Sequence, residues 1–308
     1  MADALEGRLV TVVDGVHAWI QEDGTWWINN AGAVTGDEGT ILVDTCATAE
    51  RTTAFLSAVE KASGGAPIRA AVNTHLHGDH THGNALLPET TLIVGHEETR
   101  RGILADTLLT ATPPVWAPTP VWGIREHRAP TVVPDGDLTL HTGDRRVVVR
   151  HPGHPAHTAG DLVAWLPEER VLFTGDLVFH QVTPMILMGS LEGALRSLDW
   201  MADFGAEHLV PGHGPLVTGD LIDGVLDAHA RYYRLVEDTA RHGRREGLSP
   251  LEAARTCDLG EFAAWPDAER IVLNLHRAYA DADGKEPDLV AALTDAVTFN
   301  GGPLRCGA

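Results

Sequence analysis

Between Asn73 and Asn84 the chain reads NTHLHGDHTHGN, which puts His75, His77, Asp79, His80 and His82 within eight positions. With 17 histidines in 308 residues, eight random positions would hold roughly half of one, so composition does not account for the cluster. A histidine tag lacks the interleaved Gly78 and Asp79, and it does not follow an apolar run such as Ala70-Ala71-Val72, which ends like a buried strand. Imidazole nitrogen and carboxylate oxygen suit zinc, and iron or manganese accept the same donors. On an extended segment residues i and i+2 point the same way, so His75 and His77 can share one metal. Asp79 and His80 then lie where the chain turns into a helix and can face a second.

One cluster supplies only part of a coordination shell, and three later segments repeat its pattern of a short apolar run ending in a ligand beside glycine. They are Arg146–Arg150 leading into HPGHPAHTAGD (151–161), Val171–Asp176 reading VLFTGD, and Glu207–Gly214 reading EHLVPGHG. Taken singly, Asp176 could cap a helix and His213 could sit in a turn. Four strand ends that each deliver His or Asp point instead to one convergent site.

The series HLHGDH, AHTAGD, FTGD and PGHG resembles the metallo-β-lactamase superfamily of hydrolases, over about residues 8 to 215. Carried over by position, the resemblance implies that His75, His77 and His157 hold one metal and Asp79, His80 and His213 the other. Asp176, matching the bridging aspartate, would touch both. His154 imitates a ligand-bearing phrase, but His157 is followed by Thr-Ala-Gly-Asp in the expected way and takes the assignment. His82, His96, His151 and His180 match no ligand position and read as hydrogen-bonded or solvated residues.

Two zinc ions are the implied cofactor. A metal-bound water is acidified toward neutrality, and the hydroxide so formed can attack an electrophilic carbonyl. Asp79 is the candidate for orienting that nucleophile or shuttling its proton, with plain ligation as the other reading. The expected function is a dinuclear zinc hydrolase that cleaves a lactone, thioester, ester or β-lactam of a small apolar substrate. The alternative is a non-haem iron oxygenase or redox enzyme on the same scaffold. A purely structural metal protein is the weaker reading, because structural zinc sites are usually closed shells rich in cysteine.

Apolar alternation at 9–13, 26–30 and 40–44 predicts an opening run of strands. The pattern over 48–62 predicts a helix with Phe55, Leu56 and Val59 on one face. Strand and helix signals then alternate through 92–94, 97–104, 138–140, 147–149, 162–165, 171–173 and 191–204. Such a mixture admits a doubly wound parallel sheet; the resemblance implies a four-layer αβ/βα sandwich with its metals at one edge between two sheets. Past Pro215 the segments 221–241, 249–256, 267–282 and 287–298 all read as helices, and Ser249-Pro250-Leu251-Glu252 forms a capping-box signature. We therefore expect a catalytic core over 1–215 and a helical extension over 216–308 that packs on the core, shapes the substrate entrance and offers a surface for a homodimer.

Two stretches are expected to wall the substrate pocket. Thr110–Gly123 is proline-rich, which opposes regular structure, and carries Trp116 and Trp122; Val178–Gly189 follows Asp176 and carries Phe179 and Met185. Their apolar character points to a hydrophobic small molecule. A formal charge of −20 repels nucleic-acid phosphates, and no basic stripe offsets it. No apolar run approaches 18 residues and no leader pattern opens the chain, so a cytoplasmic protein without membrane contact is expected. Cys46, Cys257 and Cys306 show no pair spacing, which fits reduced thiols; Cys306 reads as an exposed tail residue. The Ala-, Gly- and Arg-rich usage suggests a bacterial source.

Overall fold

Period-two apolar patterning in the first third of the chain builds a six-stranded sheet in a computed structural model that describes residues 7–308. Residues 1–6 of the expected core lie outside the described residues. Strands β1 (Arg8–Val13), β2 (Val16–Ile20), β3 (Ala31–Gly36) and β4 (Gly39–Val43) form an antiparallel meander. Helix α1 (Ala49–Ala62), capped by the Thr48 hydroxyl, which accepts from the Arg51 amide at 3.3 Å, crosses over to β5 (Ile68–Val72). That crossover makes β4 and β5 parallel, as a helical connection requires. After the short helix α2 (Gly78–Thr81) comes β6 (Leu92–Val94), which completes the sheet in sequence order, and then α3 (Glu97–Ala105).

A two-residue strand, β7 (Trp116–Ala117), precedes the second sheet, made of β8 (Leu138–Thr142), β9 (Arg145–Arg150), β10 (Val163–Leu166), β11 (Val171–Phe179), β12 (His208–His213) and β13 (Val217–Thr218). Its spatial order runs from β13 back to β8, and helix α4 (Leu191–Ala202) links the parallel pair β11 and β12. The rest of the chain is α5 (Leu221–Glu246), α6 (Pro250–Thr256), α7 (Arg270–Asp283), α8 (Leu289–Asn300) and β14 (Leu304–Arg305), which pairs with β7.

Alternation along the strands fixes the layers. Ile41 and Val43 of β4 pack with Val147, Ala164, Val171 and Phe173 in the core between the two sheets. Leu42, on the opposite face of the same strand, packs with Phe55 and Val59 of α1. On the outer face of the second sheet Leu172 and Leu209 bury against Leu198, Tyr232 and Ile271 of the helices. The order helix, sheet, sheet, helix is the four-layer sandwich, with the C-terminal helices continuous with its outer layer.

Several expectations change in detail. Residues 26–27 form a turn and 28–30 an irregular segment rather than a strand, and Trp27 takes φ 69°, so the two indoles leave the sheet and face a pocket. Strand β11 runs on to Phe179, which places Asp176 within it, beside register shifts that flank Gly175. Strand β13 carries the core sheet past Pro215. Cys306 is buried, because its backbone amide donates to the Ala117 carbonyl at 3.1 Å beside the β7–β14 pair. Among the described residues no helix is long and apolar enough to cross a membrane.

Candidate active site

The carboxyl ends of β4, β5, β11 and β12, with the loop before β10, open at one edge between the sheets, where an αβ fold leaves room for a ligand. His75 and His77 follow β5, His157 lies in the loop before β10, and Asp176 projects from β11. One ligand atom from each of these four lies within 4.8 Å of all the others, and the same holds for Asp79, His80 and His213. The Asp176 carboxylate joins the two groups: Oδ2 is 3.3 Å from His157 Nε2 and 3.4 Å from His213 Nε2, while Oδ1 is 3.1 Å from His80 Nε2. Gly212 permits this approach, since a Cβ there would overlap Asp176 Oδ1.

The outward-facing ring nitrogens reveal what belongs at the centre. His157 Nδ1 donates to the Met185 carbonyl at 2.6 Å. The Thr74 hydroxyl donates to Asp44 at 2.7 Å and therefore accepts from His75 Nδ1 at 3.0 Å. Both imidazoles thus turn an Nε2 lone pair inward, and both pairs aim at His77 Nδ1, at 3.1 and 2.9 Å. One proton on His77 could satisfy only one of them. His80 Nε2 and Asp176 Oδ1 are also buried without a hydrogen-bond partner. Converging lone pairs beside carboxylates fit a divalent cation at each group.

Asp44, at the end of β4, is a functional residue that the sequence reading passed over. It accepts from the Thr74 amide and hydroxyl, both at 2.7 Å, and from His80 Nδ1 at 2.8 Å, which leaves His80 Nε2 free to ligate. Asp161 plays a matching part, accepting from the amides of His157 and Thr158 at 2.8 Å each and from the Thr158 hydroxyl at 2.6 Å. Burial raises the Asp161 carboxyl to about 7, against those hydrogen bonds. His154 lies outside the cluster, with Nε2 near the Gly193 carbonyl at 3.1 Å and the Ser197 hydroxyl at 3.2 Å.

In the metal-free protein burial depresses His75, His77 and His157, the last to about 3, despite nearby Asp176 or Asp79. Burial also acts on His80 and His213, but there the carboxylates win. Asp176, Asp79 and Asp44 hold His80 well above its ordinary value, and Asp176 and Asp79 raise His213 to about 9. Without metal the carboxylates therefore favour the protonated form of both rings, which must be neutral to ligate. Metal loading at pH 7 is expected to release about two protons, one from each ring. Calorimetric titrations in buffers of different ionisation enthalpy measure this number; a value near zero would contradict it.

Beside the cluster lies a cavity of about 460 Å³, within the range of small-molecule sites. His77, Asp79, Asp176 and His213 form its polar end, and Trp26, Trp27, Trp116, Phe179, Met185, Leu187 and Met188 form apolar walls. Trp116, Phe179 and Met185 thus stand where the sequence places them. Trp122 does not: it packs edge-on behind Trp27 at 4.6 Å and donates to the Leu108 carbonyl. The sequence reading missed Trp26 and Trp27 and named no individual residue of the C-terminal helices, which contribute Arg270 and Leu273 from α7 and Leu289 and Leu293 from α8. The Arg270 guanidinium lies 4.7 Å over the Trp26 ring and 5.5 Å over Phe179, and it pairs with Asp267 at 2.8 Å. Among the described residues no other arginine or lysine lines the cavity.

Residues 24–213 match the model of the metallo-beta-lactamase superfamily. The acyl-coenzyme A thioesterase MBLAC2 of Bos taurus is 31% identical over 158 residues, 46% of this chain and 55% of that protein, so the chain spans about half the length of this relative. A metallo-beta-lactamase from Pontibacter korlensis superposes with a TM-score of 0.60 at 20% identity, covering 74% of this chain and 99% of its own. The sec-alkylsulfatase Pisa1 from Pseudomonas sp. gives 0.68 at 17% identity, covering 89% of this chain and 50% of its own.

Proposed function

The chain belongs to the metallo-beta-lactamase superfamily, a premise from which we propose that it is a hydrolase that cleaves a thioester or related carbonyl ester carrying an apolar acyl group. The observation that supports this most is the shape and lining of the cavity. An apolar cleft of about 460 Å³ ends on Asp79, Asp176, His77 and His213, so an acyl chain filling the cleft would bring its carbonyl to the polar end. Among the carbonyl bonds, the name of the Bos taurus relative favours the thioester.

In this reading His75, His77, His157 and Asp176 would hold one ion and Asp79, His80 and His213, beside Asp176, would hold the other. The nitrogen-rich donor set favours zinc. A divalent pair held there supplies Lewis acidity toward water and the substrate carbonyl. Asp79 lines the cleft, with Oδ2 3.3 Å from His213 Nε2, and is placed to hold or pass on the proton of the attacking water. The indoles of Trp26, Trp27 and Trp116 and the leucines of α7 and α8 exclude bulk water from the acyl chain. Arg270 holds the Trp26 side of the cleft through its contacts with Trp26 and Asp267.

A homologous series of straight-chain acyl thioesters tests the proposal. Burial of each methylene is worth about 0.8 kcal/mol, so kcat/KM is expected to rise by up to about fourfold per carbon until the cleft is full, and then to level off. Lactone, simple ester, β-lactam and phosphodiester substrates complete the panel. A rate independent of chain length, or turnover of the phosphodiester alone, would sink the reading.

A further inference from the structure

We propose that His82, Asp106 and His127 form a third metal site, apart from the dinuclear centre, that takes one divalent cation of the zinc class and pins the outer wall of the cleft. One ligand atom from each of the three lies within 4.8 Å of the other two. Asp106 Oδ2 is 3.3 Å from His82 Nε2 and 3.8 Å from His127 Nε2. Those separations repeat the second ligand group of the dinuclear centre, where Asp79 Oδ2 is 3.3 Å from His213 Nε2 and 3.8 Å from His80 Nε2. Ligands about 2.1 Å from a tetrahedral ion stand about 3.4 Å from one another, which the His82–Asp106 pair matches at 3.3 Å, while His127 stands slightly wider at 3.8 Å.

A plain histidine–aspartate hydrogen bond is the competing explanation, and this protein shows what such bonds look like. His80 Nδ1 meets Asp44 at 2.8 Å, and His276 Nε2 meets Asp295 at 2.8 Å. The pairs around Asp106 are longer by half an ångström or more and involve two rings at once. His82 also carries the orienting contact typical of a ligating imidazole. Its Nδ1 faces the Ala47 carbonyl at 3.3 Å, as His213 Nδ1 faces the Gly24 carbonyl at 2.9 Å.

The three donors are held before any ion arrives. His82 is fully buried, stacked near Trp27 with ring centroids 6.2 Å apart and edge-on to Trp122 at 5.2 Å. A side chain at Gly78 would collide with the His82 ring, so the glycine keeps that ring in place. Asp106 caps the loop after α3, accepting from the Leu108 amide at 2.7 Å through its other oxygen. The loop of His127 is anchored next door by Arg128, which donates to the carbonyls of Leu87, Pro88, Glu89 and Thr91, and the His127 ring lies 5.5 Å from the His82 ring, centroid to centroid. An ion here would tie the end of α3, the 127 loop and the turn after α2 together. Asp106, Thr107 and Leu108 line the cleft, so the ion would stiffen that wall without touching the reacting bond.

The site is independent of the substrate reading, and metal counting tests it. The metal-stripped full-length protein is titrated with cobalt(II), with visible absorption and elemental analysis as readouts, in the wild type, His127→Ala and Asp106→Asn. His127 is on a partly exposed loop, and asparagine keeps the size of Asp106 and its acceptor for Leu108, so both variants should fold. Saturation is expected at three equivalents for the wild type and two for each variant. Saturation of the wild type at two or fewer overturns the proposal, as do variants that keep three or that fall below two.

Discussion

Asp176→Ala is expected to abolish hydrolysis, with kcat falling by at least about three orders of magnitude and bound metal dropping at both positions. The reason is that one carboxylate serves two groups: Oδ2 faces His157 and His213, and Oδ1 faces His80. Alanine leaves those nitrogens converging without the anion that offsets a shared pair of cations, inside a buried site where an uncompensated charge is costly. His154→Ala is the matched control. Its ring faces Gly193 and Ser197 on α4 rather than the cluster, so activity and metal content should stay near wild type. An active Asp176→Ala protein, or a dead His154→Ala protein beside an active His157→Ala one, would overturn the ligand assignment.

Asp44 should separate stability from metal binding. The side chain is almost wholly buried, accepts from the Thr74 amide, and is, with His75, one of two partners of the Thr74 hydroxyl among the described residues, besides orienting His80. Asp44→Ala leaves buried donors unpaired at about 1–3 kcal/mol each, so several kcal/mol of stability and a marked fall in Tm are expected. Asp44→Asn nearly preserves shape and keeps one acceptor oxygen. If its NH2 group faces His80, it favours moving the imidazole proton to Nε2, the nitrogen needed for ligation. That variant is expected to fold with a modest loss of Tm yet bind the second metal about 10–100-fold more weakly. Chelator-competition titrations beside thermal melts measure both; wild-type affinity in Asp44→Asn would refute the orienting role.

Strand ends that carry His or Asp beside glycine were legible because apolar runs and glycine punctuation are local signals. Asp44 ends a strand in the same grammar, in Val43-Asp44-Thr45, but an aspartate that orients a ligand has the same sequence signature as one that caps a turn. Trp26 and Trp27 were read as strand because aromatics favour sheets; a residue at φ 69° instead turns the chain and delivers both indoles to the cleft. Trp116 and Trp122 sit in one proline-rich stretch, and composition could not tell the wall residue from the one packed behind it. The leucines of α8 were least accessible to prediction. Helical periodicity identifies an apolar face, but its partner here lies more than 100 positions earlier, at Trp116 and Leu108.

Residues that would perform the chemistry fall between positions 75 and 213, whereas Arg270, Leu273, Leu289 and Leu293 mould the far side of the cleft. Part of the mould is thus written in a stretch of the gene that carries none of the catalyst. Recombination or random mutagenesis confined to the last 40 codons could retune which acyl chains are accepted while leaving every proposed metal ligand untouched. In such a layout substrate range can drift quickly between relatives whose metal motifs stay alike, so a shared motif foretells the bond type better than the molecule that carries it.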